Sequence, residues 1–196
     1  MSSTSVFEEM HHMEPHVKVA RARTGVIMLI VSDALSILAI LAAGGYLNTL
    51  NVAGQFRAGD KAPAFLPGLL LAIVLVLSGL TFFLWERQAR RAGVGPRVFV
   101  MVAVVLMIVA MVGQLLIARG LGYAGPFHAY ASLILLSTWY SAAHLLLAAI
   151  VGVLLLGRIM RGRLAEHPYI AEVVGYWWYY TVIASLVMWA FTLFIG

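Results

Sequence analysis

Five apolar runs alternate with short polar stretches along this chain, and each is long enough, wound as a helix, to cross a hydrocarbon layer ~30 Å thick. They fall at residues 25–47, 67–86, 97–118, 127–156 and 169–195. Pro67, Pro96, Pro126 and Pro168 stand at or just before the starts of the last four. There the missing proline N–H has no helical partner to lose. Pro15 and Pro63 lie in the N-terminal tail and the first loop, so no proline interrupts a run. The pattern predicts an all-α polytopic membrane protein with five transmembrane helices, a tail over 1–24 and a helical domain over 25–196. No internal repeat or low-complexity tract is visible.

Composition agrees with that pattern. Of 196 residues 63% are hydrophobic and 11% charged, where a soluble domain carries about 25% charged, and mean hydropathy is +0.97. The net charge of +5 would suit a nucleic-acid binder, but the 13 basic residues sort by loop. Lys18, Arg21, Arg23, Arg87, Arg90, Arg91, Arg97, Arg158, Arg161 and Arg163 fall on one side of the predicted membrane. Arg57, Lys61 and Arg119 fall on the other. Positive charge concentrates in cytoplasmic loops, so the expected N-terminus is cytoplasmic and the C-terminal Gly196 periplasmic. Every basic residue then has a topological role, and no nucleic-acid partner is expected. The first 22 residues have no signal-peptide pattern, and the first span, which carries an acid, reads as retained.

Chemistry is sparse. No cysteine is present, which excludes disulfides and thiolate ligands. Ionisable groups at membrane depth are costly and mark function by default, and two lie deep. Asp33 is about nine residues, roughly 13 Å, into span one. Ser32 adjoins it and Ser36 shares its helix face. Two readings are open: a neutral Asp bonded to a neighbouring helix, or a proton-linked group. His144 shares a stripe with Ser137 and Ser141 at i, i+4, i+7 spacing, which favours an interhelical hydrogen bond over a ligand role. Glu86 and Glu172 sit nearer the cytoplasmic ends, where water and headgroups should reach them. His11, His12 and His16 read as a histidine-bearing tail before they read as a metal site.

No redox centre is expected within the chain. His128 and His144 both fall on span four, 16 residues apart, or about 24 Å along a helix, and cannot clamp one heme iron. Clustered ligands for copper or di-iron are absent, as are phosphate loops and nucleophile–base pairs. One feature is unusual: Tyr176, Trp177, Trp178, Tyr179 and Tyr180 form an unbroken aromatic block roughly 12–18 Å along the last span, deeper than an interfacial belt. At about 100° per residue these five sweep the whole circumference, so some should face lipid and some neighbouring helices. Their polar tips need hydrogen-bond partners, from an adjacent helix or a lipid headgroup.

Three segments resemble subunit III of the heme–copper respiratory oxidases in its five-helix bacterial form. GVIMLIVSDALSILAILAAGGY (25–46) is similar to the family's opening helix, with Asp33 on its acidic position. STWYSAAHLL (137–146) resembles the family's Thr-Gly-Phe-His-Gly-Leu-His-Val, with Thr138 and His144 matching and Ser141 replacing the first His. YWWYYTVIA (176–184) resembles Tyr-Trp-His-Phe-Val-Asp-Val-Val-Trp, with Tyr176 and Trp177 matching and Trp178 and Thr181 replacing the His and Asp. The resemblance implies a non-catalytic accessory subunit in the bacterial inner membrane, beside subunits I and II that carry heme and copper. This chain would bind no redox centre but would hold structural phospholipid and aid proton uptake. Asp33 is then the proton-linked candidate, and Ser137, Ser141, His144, Tyr176, Trp177, Trp178 and Tyr180 are interhelical or lipid contacts. The competing readings are a membrane anchor for another quinone- or heme-dependent complex and a small independent transporter.

Overall fold

The computed structural model describes residues 14–51, 54, 56, 57, 60–92, 95–123, 128–165 and 167–195. It contains five helices, α1 (Pro15–Thr49), α2 (Phe65–Ala92), α3 (Arg97–Gly120), α4 (Ala129–Met160) and α5 (Tyr169–Phe194), and no strand among the described residues. All five are long and apolar enough to cross a membrane. They pack α2 on α3, α3 on α4, α4 on α5 and α5 back on α2, which closes a four-helix ring. α1 stands outside the ring, along α5 and more narrowly along α4, and touches neither α2 nor α3. The position of α5 follows: it meets α1, α2 and α4, and half of its apolar window is buried against 6% for α1.

Lipid tails are as apolar as leucine, so helices associate in a membrane through close packing and polar contacts rather than through a hydrophobic drive. The ring shows both. Phe82 lies flat on Trp178, ring centres 4.8 Å apart and 15° from parallel, with Trp85, Val100, Met107 and Leu145 buried around them. Gly152 lets α4 reach this stack, since a Cβ there would stand 2.7 Å from both Trp178 and Val104. Ser78 in α2 donates to the carbonyl of Ala103 in α3 at 2.9 Å.

Helix ends depart from the apolar runs where charge does not stop a helix. α1 begins at Pro15, so residues 15–24 extend the first helix rather than belonging to a tail. A proline suits that first turn and no breaker follows it. His16, exposed in this turn, lies 3.2 Å from Glu14, while His11 and His12 are outside the described residues. α4 starts at Ala129 with His128 as its N-cap, and Pro126 is outside the described residues. The same helix continues to Met160, four residues past the apolar run. At the end opposite the arginine-rich one, described residues between α1 and α2 lie against the start of α4 and the end of α3. Phe56 packs edge-on against Tyr130, the Arg57 guanidinium lies 5.6 Å over the same ring, and Tyr123 donates to the Lys61 carbonyl at 2.7 Å. Burial, reinforced by Tyr130 and Asp60, pushes the Tyr123 phenol up to about 12.

Candidate functional site: three carboxylates held by the tyrosines of α5

Residues 172, 176 and 180 recur at i+4 and therefore form one row along α5. That row faces α1. Residue 179 is turned about 100° from 180 and faces α2 instead. Each of the three tyrosines donates its hydroxyl to a different carboxylate: Tyr176 to Glu172 at 2.5 Å, Tyr180 to Asp33 at 2.5 Å, and Tyr179 to Glu86. The acids come from α5 itself, from α1 and from α2, so α5 is the element that gathers them.

The Asp33 cluster is the deepest. His144 of α4 places Nε2 at 2.9 Å from Asp33 Oδ1, Tyr140 of α4 donates its hydroxyl to the same oxygen, and Tyr180 takes Oδ2. The side chains of His144 and Asp33 are only 13% and 16% exposed. His144 Nδ1 lies 2.7 Å from the Tyr140 carbonyl oxygen, which can only accept, so Nδ1 carries a proton and donates. The Nε2–Oδ1 line then needs one further proton, on the acid or on the imidazole. Either placement leaves the pair with no net charge, as a neutral acid beside a neutral ring or as an ion pair. Burying such a pair costs far less than burying a lone carboxylate. The Trp177 ring covers His144, centres 5.8 Å apart and 25° from parallel, and the Tyr140 ring centre lies 4.4 Å from that of His144.

The other two acids have permanent cationic partners. Glu172 accepts from Arg23 of α1 at 2.6 Å, at a half-exposed end of the bundle. Glu86 accepts from Arg90 Nε at 3.1 Å and from its terminal nitrogen at 2.5 Å. The sequence placed Glu86 where water and headgroups reach it; instead it is buried, 5% exposed, between α2 and α5. Gly175 makes the space, since a Cβ there would stand 2.9 Å from Glu86 Oε2.

The aromatic block also differs from expectation. None of its five side chains faces lipid openly: Trp177 and Trp178 are buried and the three tyrosines are half-buried. The reason is that α5 is covered on three sides, by α1, α2 and α4. The partners its hydroxyls needed are protein carboxylates. Trp177, Trp178 and Tyr180 thus make interhelical contacts, and Tyr176 bonds within its own helix.

Ser137 and Ser141 do not join His144. They are buried nearer the start of α4, lining a cavity of about 20 Å³ with Thr138, Gln114, Trp189 and Thr192. That volume suits a single water. Ser36 turns its hydroxyl back to the Ser32 carbonyl at 3.3 Å. Among the described residues no three His, Cys, Asp or Glu side chains come together as a metal site would need.

Tyr140, Tyr179, Glu86 and Glu172 escaped the sequence reading as site members. Two of their contacts were legible, since Tyr140 precedes His144 and Glu172 precedes Tyr176 by one helical turn. The contacts between helices carry no local signal.

Fold and site together define a multi-pass helical protein with a neutral acid–imidazole pair held at membrane depth. Comparison with known proteins adds no name to that class: no protein-family model matches the chain, and no curated protein does.

Proposed function

We propose that this chain is a non-catalytic accessory subunit of a proton-coupled terminal oxidase of the heme–copper type, in a bacterial inner membrane. One observation carries the reading. The acid of the first resembling segment, Asp33, and the histidine of the second, His144, are 111 residues apart in the chain and meet at 2.9 Å. The third segment supplies Tyr180 and Trp177 to the same cluster. Segments matched independently of one another converge on one site, as parts of one inherited motif would.

In this reading the N-terminus is cytoplasmic and the C-terminus periplasmic, which puts the arginine-rich end of the bundle in the cytoplasm. Heme and copper reside in partner subunits I and II, and this chain contributes assembly, lipid contact and a proton-linked site at Asp33. His144 Nε2 and Asp33 Oδ1 share one proton, so the pair carries no net charge with that proton on either group. Purification in mild detergent tests the proposal. Heme-bearing subunits should accompany the tagged chain, while the separated chain shows no heme absorbance. A stable chain that is active alone would refute it.

A further inference from the structure

The arginine-rich end of α4 holds a feature outside the Asp33 site. α4 closes on Gly162 in the left-handed region, φ 71°. The Arg163 N–H donates to the Arg158 carbonyl at 3.0 Å and the Gly162 N–H to the Ile159 carbonyl at 3.1 Å. This pairing is the Schellman closure, in which the residue after the glycine returns to the helix's last turn and usually makes an apolar contact there. Here the two positions so joined are Arg158 and Arg163, with Arg161 at the C-cap between them. The closure gathers three like charges where most helices put hydrocarbon.

Nothing protein-borne offsets this charge among the described residues. All three arginines are exposed, and none has a hydrogen bond or ion pair from its side chain. The single acid nearby in sequence, Glu166, is outside the described residues. The same three arginines line a groove of about 370 Å³ with Val153, Leu154 and Gly157. Ligand sites commonly span ~300–1,000 Å³. Val153, Gly157 and Arg161 form one i+4 row and Leu154 and Arg158 the next, so the groove runs from exposed apolar surface to clustered guanidinium groups. At Gly157 a Cβ would meet nothing within 4 Å, which leaves the floor of the groove open.

We propose that this groove is a binding site for one anionic phospholipid. Its phosphate sits among Arg158, Arg161 and Arg163, and an acyl chain runs along Val153 and Leu154. Guanidinium groups take phosphate oxygens in a bidentate fork, and a basic pocket at a membrane surface is the form that anionic headgroup sites take. The charge is matched by the phosphodiester, and the apolar wall by the chain. Free phosphate would satisfy only the first. The inference does not depend on the accessory-subunit reading, because the site belongs to α4 and its closing turn alone.

The test is native mass spectrometry of the purified full chain in detergent, titrated with phosphatidylglycerol, phosphatidylcholine or inorganic phosphate. Expected is one retained phosphatidylglycerol per chain, with phosphatidylcholine held far more weakly and phosphate unable to displace the lipid. At about fivefold per basic residue facing an anionic headgroup, Arg158→Gln, Arg161→Gln and Arg163→Gln together weaken retention about a hundredfold. Arg87→Gln with Arg97→Gln, at the same end of the bundle, leaves it unchanged. Gly157→Leu keeps every charge and adds a side chain where a Cβ meets nothing within 4 Å, and it should also expel the lipid. Equal retention of phosphatidylcholine, equal loss in the Arg87/Arg97 pair, displacement by phosphate, or full retention in Gly157→Leu would each overturn the proposal. Circular dichroism confirms that each variant keeps its helices.

Discussion

Replacing Asp33 with leucine should release α1 from the bundle while the four-helix ring stays closed. Of the described α1 residues only Ile37 and Gly44 are buried, so apolar packing holds this helix weakly. Its polar attachments to α4 and α5 include the three hydrogen bonds to Asp33 and the Arg23–Glu172 pair. Interhelical polar contacts in membranes average about 0.6 and reach about 1.7 kcal/mol each, so three contribute roughly 2–5 kcal/mol. The half-exposed Arg23–Glu172 pair adds about 0–1 kcal/mol. Asp33 is therefore the larger attachment, and a loss of about 2 kcal/mol lowers the docked-to-undocked ratio about 30-fold. Leucine enters a membrane more readily than aspartate, so insertion itself does not suffer. The chain has no cysteine, so introduced pairs report without background. Ile37 and Ala184 share one buried cluster between α1 and α5, and cysteines there should cross-link quickly in the parent chain and slowly with Asp33→Leu. A second pair within the ring, at Ser78 and Ala103, should be unaffected. Unchanged cross-linking at 37 and 184 would refute the assignment of α1 docking to Asp33, and loss at both pairs would show a general collapse instead.

Asp33→Asn retains a polar group for Tyr140, Tyr180 and His144 and should preserve assembly while modestly lowering proton-coupled turnover of the complex. Parent-like turnover across pH would make Asp33 a packing residue only. Gly152→Val drives side-chain atoms into Trp178 and Val104 and should destabilise the ring by about 1–3 kcal/mol, read as a lower Tm in detergent; an unchanged Tm would contradict the tight α4 approach. Tyr179→Phe removes a hydrogen bond to Glu86 but leaves Arg90 in place, at a cost of roughly 0.6–1.7 kcal/mol, whereas Gly175→Leu displaces Glu86 itself and should cost more. The Tyr123 phenol is raised from 10.0 to about 12, so its contribution to stability is complete below pH 10 and disappears as pH rises through 12. Ultraviolet titration of the parent chain minus Tyr123→Phe should show one late phenolate step, and a step at the ordinary value would refute the burial.

The spans were legible because a membrane helix announces itself by length and apolarity, neither of which depends on what packs against it. Span three starts at Arg97 in both readings, and span five at Tyr169. The error at α1 has the same origin: hydropathy finds where a chain meets lipid, while a helix stops only where its backbone is broken, and nothing breaks it between Pro15 and Thr49. Asp33 and His144 could be found singly, since each is costly at its depth. Their pairing could not, because residues 111 apart leave no periodic trace. The stripe that joined His144 to Ser137 and Ser141 was sound as helix geometry. All three face neighbouring helices, but seven residues along α4 carry the chain about 10 Å, so His144 meets α1 while the serines line the small cavity inside the ring. Glu86 was misplaced for want of Gly175, whose effect on α5–α2 spacing appears only when the helices meet.

The three clasps are alike in form and unlike in what they can do. Each sets a tyrosine hydroxyl of α5 against a carboxylate; at Asp33 and Glu86 that bond itself joins two helices, and at Glu172 the join is made by Arg23 of α1. At Glu86 and Glu172 the countercharge is an arginine, which does not deprotonate in proteins. Removing either acid's charge would strand a guanidinium, so both pairs are fixed as structure: Arg23–Glu172 ties α1 to α5, while Glu86–Arg90 lies within α2 and holds the acid that Tyr179 of α5 reaches. At Asp33 the partner is an imidazole that already spends one nitrogen on a carbonyl. Its remaining nitrogen and the carboxylate share a single proton, and the pair is neutral with that proton on either side. Of the three carboxylates gathered by α5, Asp33 is the one paired with an imidazole rather than a guanidinium, and the other two hold the frame in which it sits.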